Sequence, residues 1–218
     1  MVVLLLLFLI VVYGIYDTYY ILKNAPDDNL LKYKPTATDG VPDDAPITDD
    51  MVAWLTIDDT NIDYPVMQGG NNSEYINKNP YGEYSLSGSI FLDSRNASDF
   101  TDKYSIVYGH HMEYGKMFGA LDDFLNESYL KKHTKGELII GKDAHKRYTL
   151  EVFAVMRVNA RVDEIFQVGN ALESAEYIKE NSYIYTAEKN KRIVALSTCL
   201  SGNTEDRTVV FCYILDED

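Results

Sequence analysis

The segment Val2–Tyr16, VVLLLLFLIVVYGIY, is almost unbroken hydrophobic sequence. A helix apolar on every side cannot lie on the surface of a domain that must present one face to water. With Thr18 to Leu22 counted in, the run reaches the roughly 17–25 residues that a tilted membrane span needs. No positively charged stretch precedes it and no small-x-small cleavage site follows, so an uncleaved anchor fits better than a removed signal peptide. The missing basic flank leaves orientation open on charge alone. Three parts are therefore expected: a membrane anchor over 1–23, a juxtamembrane linker with one short helix over 24–50, rich in Asp, Pro and Thr, and a folded domain over 51–218.

Within that domain, short apolar runs alternate with polar turns. Strands are expected around Val52–Ile57 and Ile62–Met67, separated by Asp-Asp-Thr-Asn, then at Ser87–Asp93, Lys103–Met112, Glu137–Lys142 and Tyr148–Val158. Two more close the chain in RIVALSTCLSGNTEDRTVVFCYIL, Arg192–Leu215. About eight short strands predict a mainly β fold, a barrel or sandwich. Two helical patterns interrupt them: one with Phe118, Leu121, Phe124 and Leu125 at helical spacing, the other with Leu172, Ala175, Tyr177 and Ile178 on one side.

The net charge of −14 is spread along the chain, which argues against nucleic acid or an anionic membrane surface as the main partner. Two cysteines cannot form a disulfide framework. Cys212 lies inside TVVFCYIL and reads as an inert packing thiol. Cys199 stands where a strand gives way to loop residues, either as a packing residue or as a nucleophile. Of four histidines, His133 and His145 fall in a helix end and a turn and read as solvated. His110 and His111 end the run KYSIVYGHHM. Strand alternation puts Tyr108, His110 and Met112 on one face and His111 on the other. Arg207 offers rigid donors suited to a developing oxyanion, or a surface salt bridge with Glu205 or Asp206; residue chemistry alone leaves both open. The acidic pairs lack the spacing of a calcium loop, and neither a metal site nor a cofactor is expected.

Four blocks in order sharpen this reading: VAWLTIDDTNIDYPVMQGGNNSEYINKN, GSIFLDSRN, YGHHMEYGKMFGALDDFL, and ALSTC followed by Arg207 eight positions after Cys199. Together they resemble the class B sortases, cysteine transpeptidases of Gram-positive bacteria, over roughly Val52–Leu215. The resemblance implies a closed sortase-type β-barrel, with a helix at the N-terminus and another between the sixth and seventh strands, and it makes 51–218 the catalytic domain. It implies a catalytic set of His110, Cys199 and Arg207, and substrate-binding positions at Tyr108, Ser197, Asn72 and Ile165. For Ile165 ordinary barrel packing is an equal reading.

The implied chemistry is cleavage of a C-terminal sorting motif after threonine, a thioacyl intermediate on Cys199, and transfer to an amine of peptidoglycan. A pilus-type polymerising sortase is the nearest alternative. A papain-like protease fits less well, because there the cysteine opens a helix and precedes the histidine; a non-enzymatic surface protein would leave Cys199 merely buried. The implied partners are secreted proteins carrying a sorting signal and a peptidoglycan amine. The implied setting is a monomer, held by its N-terminal anchor on the outer face of the cell membrane. Leu200, where some relatives carry an acid, is a departure that bears on substrate detail.

Overall fold

The computed structural model describes residues 2–23, 28–36, 39–198 and 205–216. Helix α1 (Val2–Lys23) comes first, followed by a 3-10 helix at Asp28–Tyr33. Next come β1 (Met51–Ile57), β2 (Asp63–Met67), a 3-10 turn at Glu74–Ile76, β3 (Ile90–Leu92) and β4 (Tyr104–Gly109). A 3-10 helix at Phe118–Leu125 and helix α2 (Glu127–Lys132) lead to β5 (Lys135–Ile140) and the long β6 (Lys146–Asn159). Helices α3 (Asp163–Phe166) and α4 (Ala171–Asn181) precede β7 (Ile184–Tyr185), β8 (Arg192–Thr198) and β9 (Asp206–Asp216).

The strands pair in the order β5-β1-β2-β3-β4-β8-β9-β6, and β6 pairs back onto β5. That closes an eight-stranded barrel and leaves no free edge in it. The two-residue β7 adds to the far half of β6, at Ala154 and Val155. Most pairings are antiparallel; β2–β3 and β4–β8 are parallel. This is the expected mainly β barrel, with helices between the sixth and seventh strands.

Alternation along β8 and β9 explains why these strands read as continuous apolar runs. Val194, Leu196, Val210, Cys212 and Ile214 point into the barrel core. Their neighbours Ile193, Ala195, Val209, Phe211 and Tyr213 face the other way and are covered by Ile165 of α3 and Ile178 of α4. Both faces are buried along the middle of these strands, so apolar residues run unbroken there, and the buried Ser197, Thr198 and Thr208 fall at the barrel end where the strands finish. Cys212 is wholly inside, and burial pushes its thiol far up from the ordinary range.

Several sequence expectations shift. The stretch after α1 is less a tether than a packed strap. Leu30, Val41 and Ile47 are buried with Met51, Trp54, Met67, Tyr75 and Phe91, and Lys34 Nζ reaches Asp63 at 2.9 Å. The expected strand at Ser87–Asp93 shortens to Ile90–Leu92, because Gly88 at φ +57° turns the chain. The expected single helix after Phe118 breaks at Asn126, whose Oδ1 accepts from the backbone N–H of Ser128 at 2.9 Å and caps α2. Leu172 is 85% exposed, so α4 packs through Ser174, Ala175 and Ile178 instead. His133 is buried, its Nδ1 2.9 Å from the Tyr129 carbonyl, whereas His145 is exposed. Residues Val2–Tyr19 of α1 are long and apolar enough to cross a membrane, and none of them is buried against the barrel.

Candidate active site

The site forms where β4 and β8 end together. They run parallel in the register Tyr108↔Ser197 and Gly109↔Thr198. His110 and Cys199 are the residues that follow those last paired positions in the chain. Cys199, with Leu200 to Thr204, lies outside the described residues. β9 returns antiparallel to β8, with Ser197 opposite Val209, which brings Arg207 back to the same barrel end.

Arg207 contacts the end of β8 and helix α3. Its Nη1 donates to the Thr198 carbonyl at 2.8 Å, and the guanidinium lies 5.7 Å from the centre of the Phe166 ring. Glu205 pairs with Arg161. The Arg207 Nε is buried without a hydrogen-bond partner among the described residues. An arginine held at one nitrogen, with another desolvated and unmet, is equipped to receive an anionic oxygen.

The two histidines part company on leaving β4. The strand ends at Gly109, so two-fold alternation does not extend to them. His110 places Nε2 2.7 Å from the Ile76 carbonyl oxygen, while Phe118 N–H donates to the His110 carbonyl at 3.0 Å. His111 is half-buried rather than turned to open solvent, with Nε2 3.0 Å from Asp122 Oδ2. Asp122 in turn accepts from the hydroxyl of Thr208, the neighbour of Arg207.

Beside this edge sits a buried carboxylate that sequence reasoning missed. Asp93, with no exposed side-chain surface, accepts from Arg95 Nε at 2.9 Å and Nη2 at 2.8 Å, and from the Arg95 backbone N–H at 3.0 Å. Asn72 Nδ2 donates to the same carboxylate at 2.8 Å and the Tyr108 hydroxyl at 3.1 Å. Burial alone would raise the Asp93 pKa, but these hydrogen bonds outweigh it and hold the carboxyl below its ordinary range. Burial and the adjacent carboxylate push the Tyr108 hydroxyl up, keeping it a neutral donor. Arg95 Nη2 also donates to the Phe166 carbonyl at 2.9 Å, tying α3 to the barrel end. The signal in the sequence was Asp-Ser-Arg within GSIFLDSRN, a carboxylate and an arginine two apart just past a short strand.

Of the expected substrate positions, Asn72 and Tyr108 are half-buried and converge on Asp93. Ser197 and Ile165 are fully buried. The Ser197 hydroxyl donates to the Thr198 carbonyl, and Ile165 packs in the core while its carbonyl accepts from the Tyr104 hydroxyl. Both side chains pack beneath the barrel end, as the packing reading of Ile165 has it. Among the described residues no group of three or more His, Cys, Asp or Glu could hold a metal ion.

Known proteins share this fold. A sortase-domain family model matches residues 55–215. Sortase B of Listeria monocytogenes is 36% identical over 158 residues, covering 69% of this chain and 63% of that protein, so the chain spans less than two thirds of that relative. Sortase B of Staphylococcus aureus is 31% identical over 179 residues, covering 78% and 72%. Among solved structures, a Streptococcus pyogenes class B sortase involved in pilus biogenesis superposes with a TM-score of 0.69 at 41% identity, covering 76% of this chain and 92% of that one. The Staphylococcus aureus sortase B–substrate complex gives 0.70 at 30% identity, covering 79% and 82%. A closed eight-stranded barrel, His110 and Arg207 brought to one end of it, and a family match over most of its length make this chain a member of the sortase family, of class B.

Proposed function

We propose that this chain is a cysteine transpeptidase that cleaves a C-terminal sorting motif after threonine and joins the new carboxyl end to an amine of peptidoglycan. The observation that carries the reading is the parallel pairing of β4 with β8. It ends Gly109 and Thr198 side by side and has Arg207 bonded to the Thr198 carbonyl. In this reading the Cys199 thiolate attacks the threonine carbonyl carbon and a C–S bond forms. Arg207 receives the oxyanion. As the C–N bond breaks, His110 gives a proton to the leaving amine and a thioacyl-enzyme remains. The acceptor amine then attacks that thioester and loses its proton to His110, and the C–S bond breaks. Helix α1 serves as a single-pass anchor holding a monomeric 51–218 catalytic domain on the outer face of a Gram-positive cell.

A second reading, polymerisation of protein subunits through a lysine amine, draws support from the 41% identity to a class B sortase involved in pilus biogenesis. Full-length protein in detergent, given a library of sorting peptides with either a peptidoglycan-type amine or a lysine-bearing protein fragment, distinguishes the two by mass spectrometry. The expected result is an acyl adduct on Cys199 and an amide product with the wall-type amine, both absent from Cys199→Ala. Cleavage that survives in Cys199→Ala, or no adduct with any peptide, overturns the proposal.

A further inference from the structure

The ring of His110 meets one partner whose chemistry is unambiguous. Its Nε2 lies 2.7 Å from the main-chain carbonyl oxygen of Ile76. A carbonyl oxygen can only accept, so this contact is a hydrogen bond only when Nε2 carries the proton. In the neutral ring that leaves Nδ1 bare.

The turn that presents this carbonyl is held from three sides. Ile76 ends the 3-10 turn Glu74–Ile76, and Tyr75 within it is fully buried. The Tyr75 hydroxyl donates to Asp50 Oδ2 at 2.6 Å, which ties the turn to the strap before β1. The Tyr75 carbonyl accepts from Ser89 N–H at 3.0 Å. Gly88 passes so close that a Cβ there would sit 2.2 Å from the Ile76 carbonyl oxygen and 2.6 Å from that of Tyr75, and its φ of +57° also favours glycine. A side chain at position 88 would press on the same oxygen that holds His110.

We infer that the Ile76 carbonyl fixes His110 as its Nε2–H tautomer, that Nδ1 is the nitrogen that gives and takes the proton, and that Tyr75, Asp50 and Gly88 are positioning residues for it. The bond to Ile76 persists whether Nδ1 is bare or protonated, so a proton can be delivered and recovered without the ring turning. The part concerning turnover rests on the transpeptidase reading; the tautomer does not.

The test starts with full-length protein in detergent labelled with 15N at histidine, using long-range proton–nitrogen spectra at a pH where the rings are neutral. The His110 signals are assigned by their loss in His110→Gln. The expected pattern is a protonated Nε2 and an unprotonated Nδ1; a protonated Nδ1 overturns the inference. Steady-state kinetics on positioning variants follow. Gly88→Ala should lower kcat about 10²-fold with the peptide KM nearly unchanged, the scale that a roughly 1 Å misplacement costs. Tyr75→Phe keeps the buried ring, so it remains a test if Gly88→Ala fails to fold. It should lower kcat severalfold and mix the tautomers, as should Asp50→Ala, while Asp50→Asn, which keeps an acceptor oxygen, should restore both. Variants that lose only melting temperature, with tautomer and kcat unchanged, overturn the positioning roles. A wild-type protein with the Nε2–H pattern that turns over no sorting peptide would sink the transpeptidase reading and leave the tautomer standing.

Discussion

Two arginines meet at Phe166, one at its carbonyl and one at its ring, and they are built to opposite specifications. Arg95 binds both oxygens of the buried Asp93 and the Phe166 carbonyl, so three of its side-chain hydrogen bonds are made within the fold. Arg207 lies over the Phe166 ring, donates through Nη1 to Thr198, and keeps a buried Nε without a partner among the described residues. Satisfied donors fix a structure; desolvated and unmet ones favour whatever anion arrives. Arg95 is bound into the scaffold, and Arg207 keeps the free donor that the proposed chemistry needs. Residue chemistry alone could not separate them, since each follows a carboxylate by one or two positions; only the family resemblance singled out Arg207.

Keeping the charge while losing the geometry gives the largest separation. Arg207→Lys should lower turnover by about 10²–10³, the usual cost of losing an oxyanion donor, or about 2.7–4 kcal/mol of barrier. Melting temperature should scarcely change, and the loss should fall on kcat rather than on KM because the interaction strengthens as charge develops. Near-normal turnover in Arg207→Lys, read by steady-state kinetics, would remove Arg207 from the catalytic set.

Arg95→Ala should do the reverse and strike stability. It leaves the Asp93 carboxylate buried without its counter-charge. Breaking a buried pair typically costs about 3–5 kcal/mol, and the half-exposed Arg95 side chain lowers the expectation to about 2–3 kcal/mol. Chemical denaturation measures it. A loss of turnover without a shift in midpoint would mean that the two arginines had been assigned the wrong way round.

A smaller effect appears with pH. The Asp93 carboxyl titrates below its ordinary range in the folded state, held there by Arg95, Asn72 and the Arg95 backbone against the cost of burial. On acidification the unfolded chain, with Asp near ~3.9, takes up this proton first. Stability from this group is therefore fully present above that value and lost as pH falls through the folded value. Asp93→Asn should be less stable at neutral pH and should lose less between neutral pH and about pH 3 than the parent does. Parallel stability curves would show that the carboxylate charge is not what holds the node.

The barrel was legible because both-face burial leaves a plain mark: β8 and β9 read as unbroken apolar runs, and Cys212 could be set aside from its neighbours alone. The ends of strands were less legible. Alternation carried past Gly109 put His111 on the face opposite His110, but the chain leaves the strand there and Asp122 takes the ring. Asp93 was missed because its importance lies in Asn72, Tyr108 and Phe166, brought to it by the pairing of β3 with β2 and β4 and by a helix 71 residues away from Arg95. Ile165 and Ser197 were placed by position in a motif, which says nothing of burial depth. Cys199 lies outside the described residues, so its role remains with the motif and the proposed chemistry.

The finest division of the two arginines runs through Phe166 itself. Its carbonyl serves Arg95 and its ring serves Arg207, so a side-chain change can disturb one without the other. Phe166→Leu keeps the backbone acceptor and most of the apolar volume against α4, but removes the aromatic face under the guanidinium. A cation–π contact of this kind contributes about 0.5–1 kcal/mol when partly exposed. If that contact holds Arg207 in register, turnover should fall about two- to fivefold, which is the same energy expressed as a rate. The acid sensitivity carried by Asp93 should be untouched, because the Arg95 bond to the Phe166 carbonyl survives. Combining Phe166→Leu with Arg207→Lys should then cost little more than Arg207→Lys alone, since both act on one group. Additive losses would mean that the ring contributes through packing of α3 rather than through the arginine above it.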